Sequence, residues 1–368
     1  MIRQVLLLFL LLSVPLRAIP VYIGTGAGGG SKGIYQADFD SATGKLTEPV
    51  LAVEYTNPGF LALHPAKPMI YACGTPTQPF ADGSGSVAAF TIGADDRLEF
   101  MGEASSGGKG ACHVAVDRTG STVAVANYGD GSIATIKLDA AGIPGESATL
   151  IKNKGSGPNK PRQDGAHAHG VYFNKANTLL FVPDLGLDQV FIYPFDASTS
   201  KLGESRPSLV SAPGVGPRHL AFSADEKFVY VINELSNSVT TSSHDGATFT
   251  ALASIPTLPA DFDAKSTTAE IEVHPGGKFV YGSNRGHDSI VVYQRDAMTG
   301  ELKFLQHAPC GGKIPRHFKI DPTGKWLLCG HQETNSISVL PLDPATGLLG
   351  APVCTVKSPS PICLLFVP

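Results

Sequence analysis

The feature that most constrains this chain is an internal repeat of about 50 residues that runs from one end to the other. Each unit contains an alternating strand, a turn carrying Pro, Asp, Asn or Gly, and a second strand, as in HVAVDRTGSTVAVAN and HLAFSADEKFVYVIN. A third strand follows most units, for example SIATIKL and SIVVYQR. The last apolar residue of the first strand can be aligned at six positions: Leu63, Val116, Phe173, Phe222, Val273 and Ile320.

The two ends of the chain complete each other. The C-terminal PSPICLLFVP supplies a first strand, whereas VYIGT and GIYQADFD near the N-terminus are a second and a third strand without a first. Six whole units and one composite unit make seven. We therefore predict an all-β fold, a seven-bladed β-propeller of four-stranded antiparallel blades, closed by a composite N- and C-terminal blade. Closure of the ring removes exposed sheet edges.

Composition agrees with many short strands. The chain of 368 residues contains 41 Gly and 28 Pro, and only 16% of its residues are charged. No long segment has apolar residues at the spacing of an amphipathic helix. Length alone suggests two domains, but the repeat leads us to interpret residues 20–368 as a single propeller domain.

Residues 1–18 are predicted to be a signal peptide. Arg3 precedes the apolar run Val5–Leu12, and cleavage after Ala18 fits the preference for small residues. The run is short for a membrane span, although an uncleaved anchor is an alternative because Arg17 lies beside the cleavage point. We expect the protein to be exported to the periplasm or the extracellular space. A net charge of −4 without a basic run argues against a nucleic-acid partner.

Metal-binding signals are weak. None of the six cysteines forms a Cys-x-x-Cys pair, so zinc or thioredoxin-like chemistry has no support, and disulfide pairing cannot be deduced. His167 and His169 in DGAHAHG would point the same way on an extended segment, which also suits a metal, but no third ligand lies at a fixed spacing. We expect neither a metal nor a cofactor.

The repeat also indicates where a site would lie. In a propeller the first strand of each blade runs along the central channel, and the second strand ends at the mouth where the first begins. Binding or catalysis is expected at these two ring positions. The polar candidates there are His113, His169, Arg218, His219, Arg316, Asn127, Asn233, Glu234, Arg285 and Gln332, with His167 beside them.

Arginines dominate this set. Arg218, Arg285 and Arg316 around one mouth of an acidic protein need an anionic partner, because a guanidinium group matches carboxylate or phosphate in a bidentate fork. Glu234 lies among them, either paired or available as a general base. For any single member the alternative is that a polar residue solvates a loop, and Asn at a strand end often caps a turn.

The glycine-rich segment GTGAGGGSKG contains both G-x-G-x-x-G and G-x-S-x-G. The first needs a helix that receives a pyrophosphate, and the second needs a strand-to-helix elbow. A further strand, GIYQADFD, follows instead. Neither a dinucleotide site nor a serine-hydrolase site is therefore predicted.

The segments YIGTGAGGGSKGIYQADFDSATGKL, GSGPNKPRQDGAHAHG, GPRHLAFSADEKFVYVINEL and SNRGHDSIVVY resemble the seven-bladed propeller lactonase family. That family includes bacterial propeller-type 6-phosphogluconolactonases and fungal carboxy-muconate cyclases. The resemblance implies one propeller with a metal-free site at one mouth. The proposed family active-site residues fall on His169, Arg218, Glu234 and Arg285.

Three functions follow as hypotheses, led by a lactonase acting on a small anionic sugar lactone such as 6-phosphogluconolactone. In it Glu234 would activate water, Arg218 and Arg285 would stabilise the oxyanion, and His169 would protonate the leaving ring oxygen. The expected substrate-binding residues are Arg316, His219, His113, His167, Asn127, Asn233 and Gln332. The alternatives are a muconate-type cycloisomerase and a ligand-binding propeller without catalysis. We expect a monomer in each case.

Overall fold

A computed structural model of the chain describes residues 18–245 and 248–367. Within these ranges the chain forms thirty strands and no helix, hence none long and apolar enough to cross a membrane. The predicted signal peptide lies outside the described residues, apart from Ala18, and stays a prediction.

The strands form seven antiparallel sheets, arranged as the blades of a ring. First strands of most adjacent blades contact each other around the channel. The first strands are β5 (Phe60–Leu63), β9 (Ala111–Val116), β13 (Tyr172–Phe173), β18 (Pro217–Phe222), β22 (Thr267–Val273), β26 (Pro315–Ile320) and β30 (Pro361–Phe366). The second strands are β6 (Met69–Gly74), β10 (Thr122–Asn127), β14 (Leu179–Asp184), β19 (Phe228–Asn233), β23 (Phe279–Arg285), β27 (Trp326–His331) and β1 (Ile19–Thr25).

The outer half of each blade follows in the same order. The third strands are β7 (Ser86–Ile92), β11 (Ser132–Leu138), β15 (Gln189–Asp196), β20 (Ser238–His244), β24 (Ser289–Arg295), β28 (Ser336–Pro341) and β2 (Gly33–Asp40). The outermost strands are β8 (Leu98–Ser105), β12 (Pro144–Lys152), β16 (Lys201–Leu202), β17 (Arg206–Val210), β21 (Phe249–Pro256), β25 (Leu302–Pro309), β29 (Cys354–Lys357), β3 (Lys45–Leu46) and β4 (Val50–Glu54).

The composite blade closes the ring as predicted. The last strand, β30, pairs antiparallel with the first, β1, in the register Val21↔Phe366 and Ile23↔Leu364. Strand β1 continues outward to β2, so the blade combines one C-terminal strand with the N-terminal strands. The predicted seven-bladed, all-β architecture is confirmed.

Hydrophobic packing between blades forms the core. Second and third strands carry apolar side chains on both faces, because each blade packs against a neighbour on either side. A tyrosine on the second strand of several blades also donates a hydrogen bond to a turn of the next blade. Tyr71 reaches the carbonyl of Gly142 at 2.7 Å, and Tyr281 reaches that of Gly347 at 2.8 Å. These contacts fix neighbouring blades relative to each other.

Candidate active site

Glu234 is the centre of a buried charge cluster at one mouth of the channel. It directly follows β19, where the second strand of the fourth blade reaches the mouth. Its Oε2 lies 3.1 Å from Arg218 Nε and 3.0 Å from Arg285 Nη2. Its Oε1 accepts a hydrogen bond from Arg162 Nη2 at 2.5 Å. Three guanidinium groups from three elements therefore converge on one carboxylate.

This environment fixes the ionisation of Glu234. Burial acts to raise the pKa of the carboxyl group, but Arg285, Arg218 and Arg162 outweigh it and hold the pKa at about 2. The carboxylate is therefore charged throughout the physiological range. A base with so low a pKa is weak while all three arginines contact it.

Arg316 brings a fourth guanidinium group to the same mouth. Burial, together with repulsion from Arg218 and Arg285, lowers its pKa to about 9. Among the described residues, the side-chain hydrogen bond found for it runs from Nη1 to Gln332 Oε1 at 3.4 Å, which is long. The mouth thus holds more cationic than anionic groups, in a site where water screens charge poorly.

His169 contacts the cluster without a close hydrogen bond. Its Nε2 lies 3.9 Å from Glu234 Oε2, and its Nδ1 is buried with no partner among the described residues. Burial and the charge of Arg218 lower the pKa of His169 well below its ordinary value. The imidazole is therefore neutral at neutral pH, and it must receive a proton before it can donate one.

His219 connects this cluster to a second buried carboxylate. Arg218 Nη1 donates to His219 Nε2 at 3.2 Å, so the imidazole proton lies on Nδ1, which faces Glu270 Oε2 at 3.0 Å. His317 Nε2 lies 3.4 Å from the same oxygen of Glu270. His113 lies beside His219, with ring centroids 5.2 Å apart. Burial lowers the pKa of both His113 and His219 well below the ordinary value, so neither offers a positive charge to an anion.

A cavity of about 170 Å³ opens above these groups. Its polar wall includes His169, Arg218, His219, Glu270, Arg316, His317 and Asn57. Phe60, Glu270 and His317 line this cavity and also a larger one, of about 660 Å³, on their opposite side. These three side chains therefore separate the mouth from the rest of the channel.

The composite blade contributes a glycine to the cavity wall where other blades carry larger residues. Thr25, Gly26 and Ile362 line the cavity, whereas other blades place larger residues at the position of Gly26. A Cβ atom at Gly26 would lie 3.0 Å from Ser360 Oγ, which is a tight contact. Gly26 therefore adds no side chain to this side of the mouth, and a larger residue would press on Ser360.

The structure does not bring every predicted residue to the cavity. Glu234 lies behind its wall and reaches it through Arg218, and Arg285 contacts Glu234 in turn. His113 lines the larger cavity instead.

Asn127 and Asn233 are fully buried, and their amides donate within their own blades, to Ser132 Oγ at 3.1 Å and Ser238 Oγ at 3.0 Å, while Asn127 also donates to the carbonyl oxygen of Ser106 in the preceding blade. They directly precede the residues that face the mouth, and adjacent strand residues point to opposite faces. Both asparagines therefore fit the alternative that Asn at a strand end caps a turn.

His167 and Gln332 lie at the edge of the site. His167 Nδ1 contacts the carbonyl oxygen of Tyr128 at 2.7 Å, its Nε2 contacts Asp164 at 3.0 Å, and its ring stacks on that of Tyr128. Gln332 is half-buried and reaches the cavity through its contact with Arg316. His167 can therefore position Tyr128, and Gln332 can position Arg316.

Arg162 is the residue that sequence reasoning missed. It lies in the long connection between β12 and β13, and its Nη2 also donates to Tyr128 Oη at 3.2 Å. The neighbouring Gln163 is fully buried, and its Nε2 anchors the loop to Leu185 O at 2.8 Å. The length of this connection was the available signal, because long loops in compact domains are often functional.

The donor set at this mouth does not suit a metal cation. Guanidinium groups cannot act as ligands, and their excess charge repels cations. In the described part of the chain, the histidine, cysteine and carboxylate groups close enough to share an ion are Cys310, Cys329 and His331, which do not line this cavity.

Comparison with known proteins agrees with this fold. Residues 20–366 match the family model "Lactonase, 7-bladed beta-propeller". The chain is 34% identical over 350 residues to a 6-phosphogluconolactonase of Bacillus subtilis, covering 94% of this chain and 97% of the relative. It is 33% identical over 328 residues to a 6-phosphogluconolactonase of Formosa agariphila, covering 86% and 90%.

Solved structures are similar over nearly the whole chain. A periplasmic gluconolactonase of Pseudomonas aeruginosa superposes with a TM-score of 0.88 at 27% identity, covering 95% of this chain and 99% of that one. A protein from Lactobacillus plantarum gives a TM-score of 0.88 at 30% identity, covering 95% and 100%. The chain therefore belongs to the seven-bladed β-propeller lactonase family.

Proposed function

We propose that this protein hydrolyses the lactone of a sugar acid that carries an anionic group, as in the conversion of 6-phosphogluconolactone to 6-phosphogluconate. The observation that carries the proposal is the excess of guanidinium groups around Glu234 at one mouth. Two relatives named 6-phosphogluconolactonase cover most of the chain at 33–34% identity, which supports the same reaction class.

Arg316 is assigned to the anionic group of the substrate. It lines the cavity, and its contact with Gln332 is long, so its remaining N–H groups can bind a phosphate or carboxylate. Guanidinium binds such groups in a bidentate fork. His219 and His113 are neutral, so they contribute shape and hydrogen bonds rather than charge.

Arg218 and Arg285 are assigned to the oxyanion that forms when water attacks the lactone carbonyl. Arg218 is held by the carbonyl of Ala269 at 2.7 Å, and Arg285 by that of Thr268. Arg285 Nε is buried with no partner among the described residues, so this donor becomes available once the substrate oxyanion approaches it. Donors that are fixed before the reaction stabilise a developing charge without reorganisation.

Glu234 and His169 are assigned to proton transfer. Glu234 takes the proton of the attacking water and passes it to neutral His169, which then delivers it to the leaving ring oxygen. The separation of 3.9 Å between Glu234 Oε2 and His169 Nε2 has to shorten when substrate binds. Such contacts are often long in the empty enzyme.

Arg162 is assigned to control of this base. It is the most exposed arginine of the cluster, with 36% of its side chain accessible, and it covers Glu234 Oε1. If an anionic substrate draws Arg162 away, the carboxylate oxygen is uncovered and its pKa rises, which makes Glu234 a stronger base. The substrate anion would then increase turnover as well as affinity.

The test compares phosphorylated and plain gluconolactone, with a carboxy-muconate offered in parallel. We expect a large preference for the phosphorylated lactone in both kcat and KM, and Arg316→Ala should abolish the preference. Arg97→Ala, at an exposed arginine outside the site, is the control. Intact lactones with a consumed muconate would favour cycloisomerisation, and ligand-dependent melting without any turnover would favour a binding protein.

We further propose that residues 1–18 direct export. A periplasmic gluconolactonase among the similar structures supports this location for a protein of the same family. Cell fractionation with mass analysis of the mature N-terminus tests it. Full-length protein confined to the cytosol would contradict export and leave the reaction assignment untouched.

A further inference from the structure

Three potential metal ligands meet where the fifth and sixth blades join. Cys310 directly follows β25, whereas Cys329 and His331 alternate on β27 and point to the same face. All three side chains are fully buried, and their ligand atoms lie within 4.8 Å of one another. We propose that they form a binding site for a thiophilic metal ion of the Zn²⁺ type, separate from the active site.

The hydrogen bonds of His331 set the tautomer that a metal needs. Ser338 Oγ donates to the carbonyl oxygen of Cys310 at 2.6 Å, so it accepts from His331 Nε2 at 2.8 Å. The lone pair of His331 is therefore on Nδ1, which faces Cys310 Sγ at 3.9 Å. Metal-binding histidines are oriented by a partner on the other ring nitrogen in this way.

The distances leave room for one ion. Zinc bonds of about 2.3 Å to sulfur and about 2.0 Å to nitrogen place the two ligand atoms about 3.6 Å apart in a tetrahedral site. The observed 3.9 Å between Cys310 Sγ and His331 Nδ1 requires only a small contraction. The Cys310 thiol donates to the carbonyl oxygen of Asp288 at 2.9 Å, and loss of the thiol proton on metal binding frees this oxygen as a further ligand beside the cluster.

Charge favours a divalent ion. Two thiolates and a neutral imidazole cancel the charge of Zn²⁺, and a neutral complex costs least in a buried site. Thiolate ligands also suit Cu⁺. Because the site is closed, the ion would enter during folding and add its binding free energy to stability.

The same junction in other blades shows what has changed here. Asn127 Nδ2 donates to the carbonyl of Ser106, and Asn284 Nδ2 donates to that of Thr257. Ser106 and Thr257 each directly follow the outer strand of the preceding blade, which is the position of Cys310. The sixth blade replaces the asparagine and the hydroxyl residue by a histidine and a cysteine, and adds a second cysteine.

This internal comparison supplies a variant that should fold. Cys310→Ser combined with His331→Asn restores the polar junction of the second and fifth blades while removing two ligands. Cys73→Ala changes another fully buried cysteine outside the cluster and serves as the matched control.

The experiment refolds tag-free protein from urea under reducing conditions with Zn²⁺, Cu⁺ or Co²⁺, and then measures bound metal and the thermal midpoint. Wild type and the control should each retain a single ion per chain, melt at a higher temperature with the ion, and give the thiolate absorption of tetrahedral Co²⁺. The double variant should fold, retain no ion and melt at a metal-independent temperature. Wild type without bound metal, equal retention by the double variant, or a mass lower by two hydrogens from a Cys310–Cys329 disulfide would overturn the proposal.

Discussion

Glu234 and Glu270 are both buried along the channel, and they are held by different kinds of partner. Glu234 at the mouth contacts Arg162, Arg218 and Arg285, which carry permanent charge. Glu270, between the two cavities, contacts the imidazoles of two histidines instead. Glu234 is part of a cationic site that can bind an anion. Glu270 belongs, with Phe60 and His317, to the group of side chains that separates the two ends of the channel, here called the plug.

A chain of contacts connects the two acids. Arg218 bonds to both Glu234 and His219, and His219 donates to Glu270. Since His219 is neutral, it accepts from the arginine on one side and donates to the carboxylate on the other. The position of Arg218 in the active site therefore depends on the plug beneath it.

The largest expected difference is between Glu234→Gln and Glu270→Gln. Loss of the Glu234 charge should lower kcat/KM by about 10²–10⁴-fold and the free energy of unfolding by about 3–5 kcal/mol, because three arginines lose their partner. Glu270→Gln should cost about 1–3 kcal/mol, the range for a lost buried hydrogen bond. Added phosphate should restore stability to the first variant only.

Lactone turnover and urea unfolding measure these effects. Unchanged lactonase turnover in Glu234→Gln would remove Glu234 from the proton path. Equal stability losses in the two variants, with no response to phosphate, would contradict the contrast between a carboxylate held by arginines and one held by histidines.

Acid unfolding should separate the stability contributions of Glu234 and of the buried histidines, because they are lost over different pH ranges. The folded-state pKa of Glu234, about 2, is below its ordinary 4.5, so its contribution of about 3 kcal/mol is fully present above pH 4.5 and is lost as the pH falls towards 2. The buried histidines, His113, His169 and His219, also have lowered pKa values, so stability already declines as the pH falls below their ordinary value of 6.5.

Unfolding free energies measured at steps from pH 7 to pH 2.5 test this order. Glu234→Gln should retain the decline that begins near pH 6.5 and lose the part below pH 4.5. A variant with the full wild-type slope below pH 4.5 would show that other carboxylates dominate acid unfolding.

Arg162→Ala tests whether the exposed arginine of the cluster controls the base. Activity on the phosphorylated lactone should fall by about tenfold or more, as for loss of a substrate-orienting group. The free energy of unfolding should change by about 1 kcal/mol or less, because the ion pair is partly exposed to water. The acidic limb of the kcat/KM profile should move to higher pH, since the pKa of Glu234 in the free enzyme rises when one cation is removed.

Steady-state kinetics across pH provide this measurement, with Arg97→Ala as the exposed control. A drop in activity without any shift of the acidic limb would assign Arg162 to substrate binding alone.

The smallest effect on activity is expected at Asn127, one residue before the mouth position of its blade. Asn127→Ala removes hydrogen bonds to Ser106 and Ser132 and should cost about 1–2 kcal/mol of stability with unchanged KM. A raised KM at full stability would place this side chain in substrate binding after all. Thermal unfolding and lactone kinetics on the same preparation distinguish the two.

Most of the fold was predictable because a repeat allows positions in one sequence to be compared with each other. The aligned units defined the blades, and the incomplete ends predicted the pairing of β1 with β30. The same alignment selected His169, Arg218, Glu234 and Arg285, which the structure brings together in one charge cluster.

Side-chain direction was less predictable. Asn127 and Asn233 occupy the same strand ends as the mouth residues, but they turn into their blades because the pleat reverses direction at every residue. A shift of one residue in the alignment is enough to exchange the buried asparagines with the residues that face the mouth. The exact register is fixed by pairing with the third strands, which the repeat alone locates only approximately.

The sequence by itself determined the number of blades, the closure and the ring of polar positions, because all of these follow from periodic strands. Only the tertiary structure decided that Arg162 reaches Glu234, and that Cys310 meets His331. Both contacts join segments through irregular connections or across blades. Their geometry depends on the path of the loops and on packing between sheets, for which a single sequence carries no periodic signal.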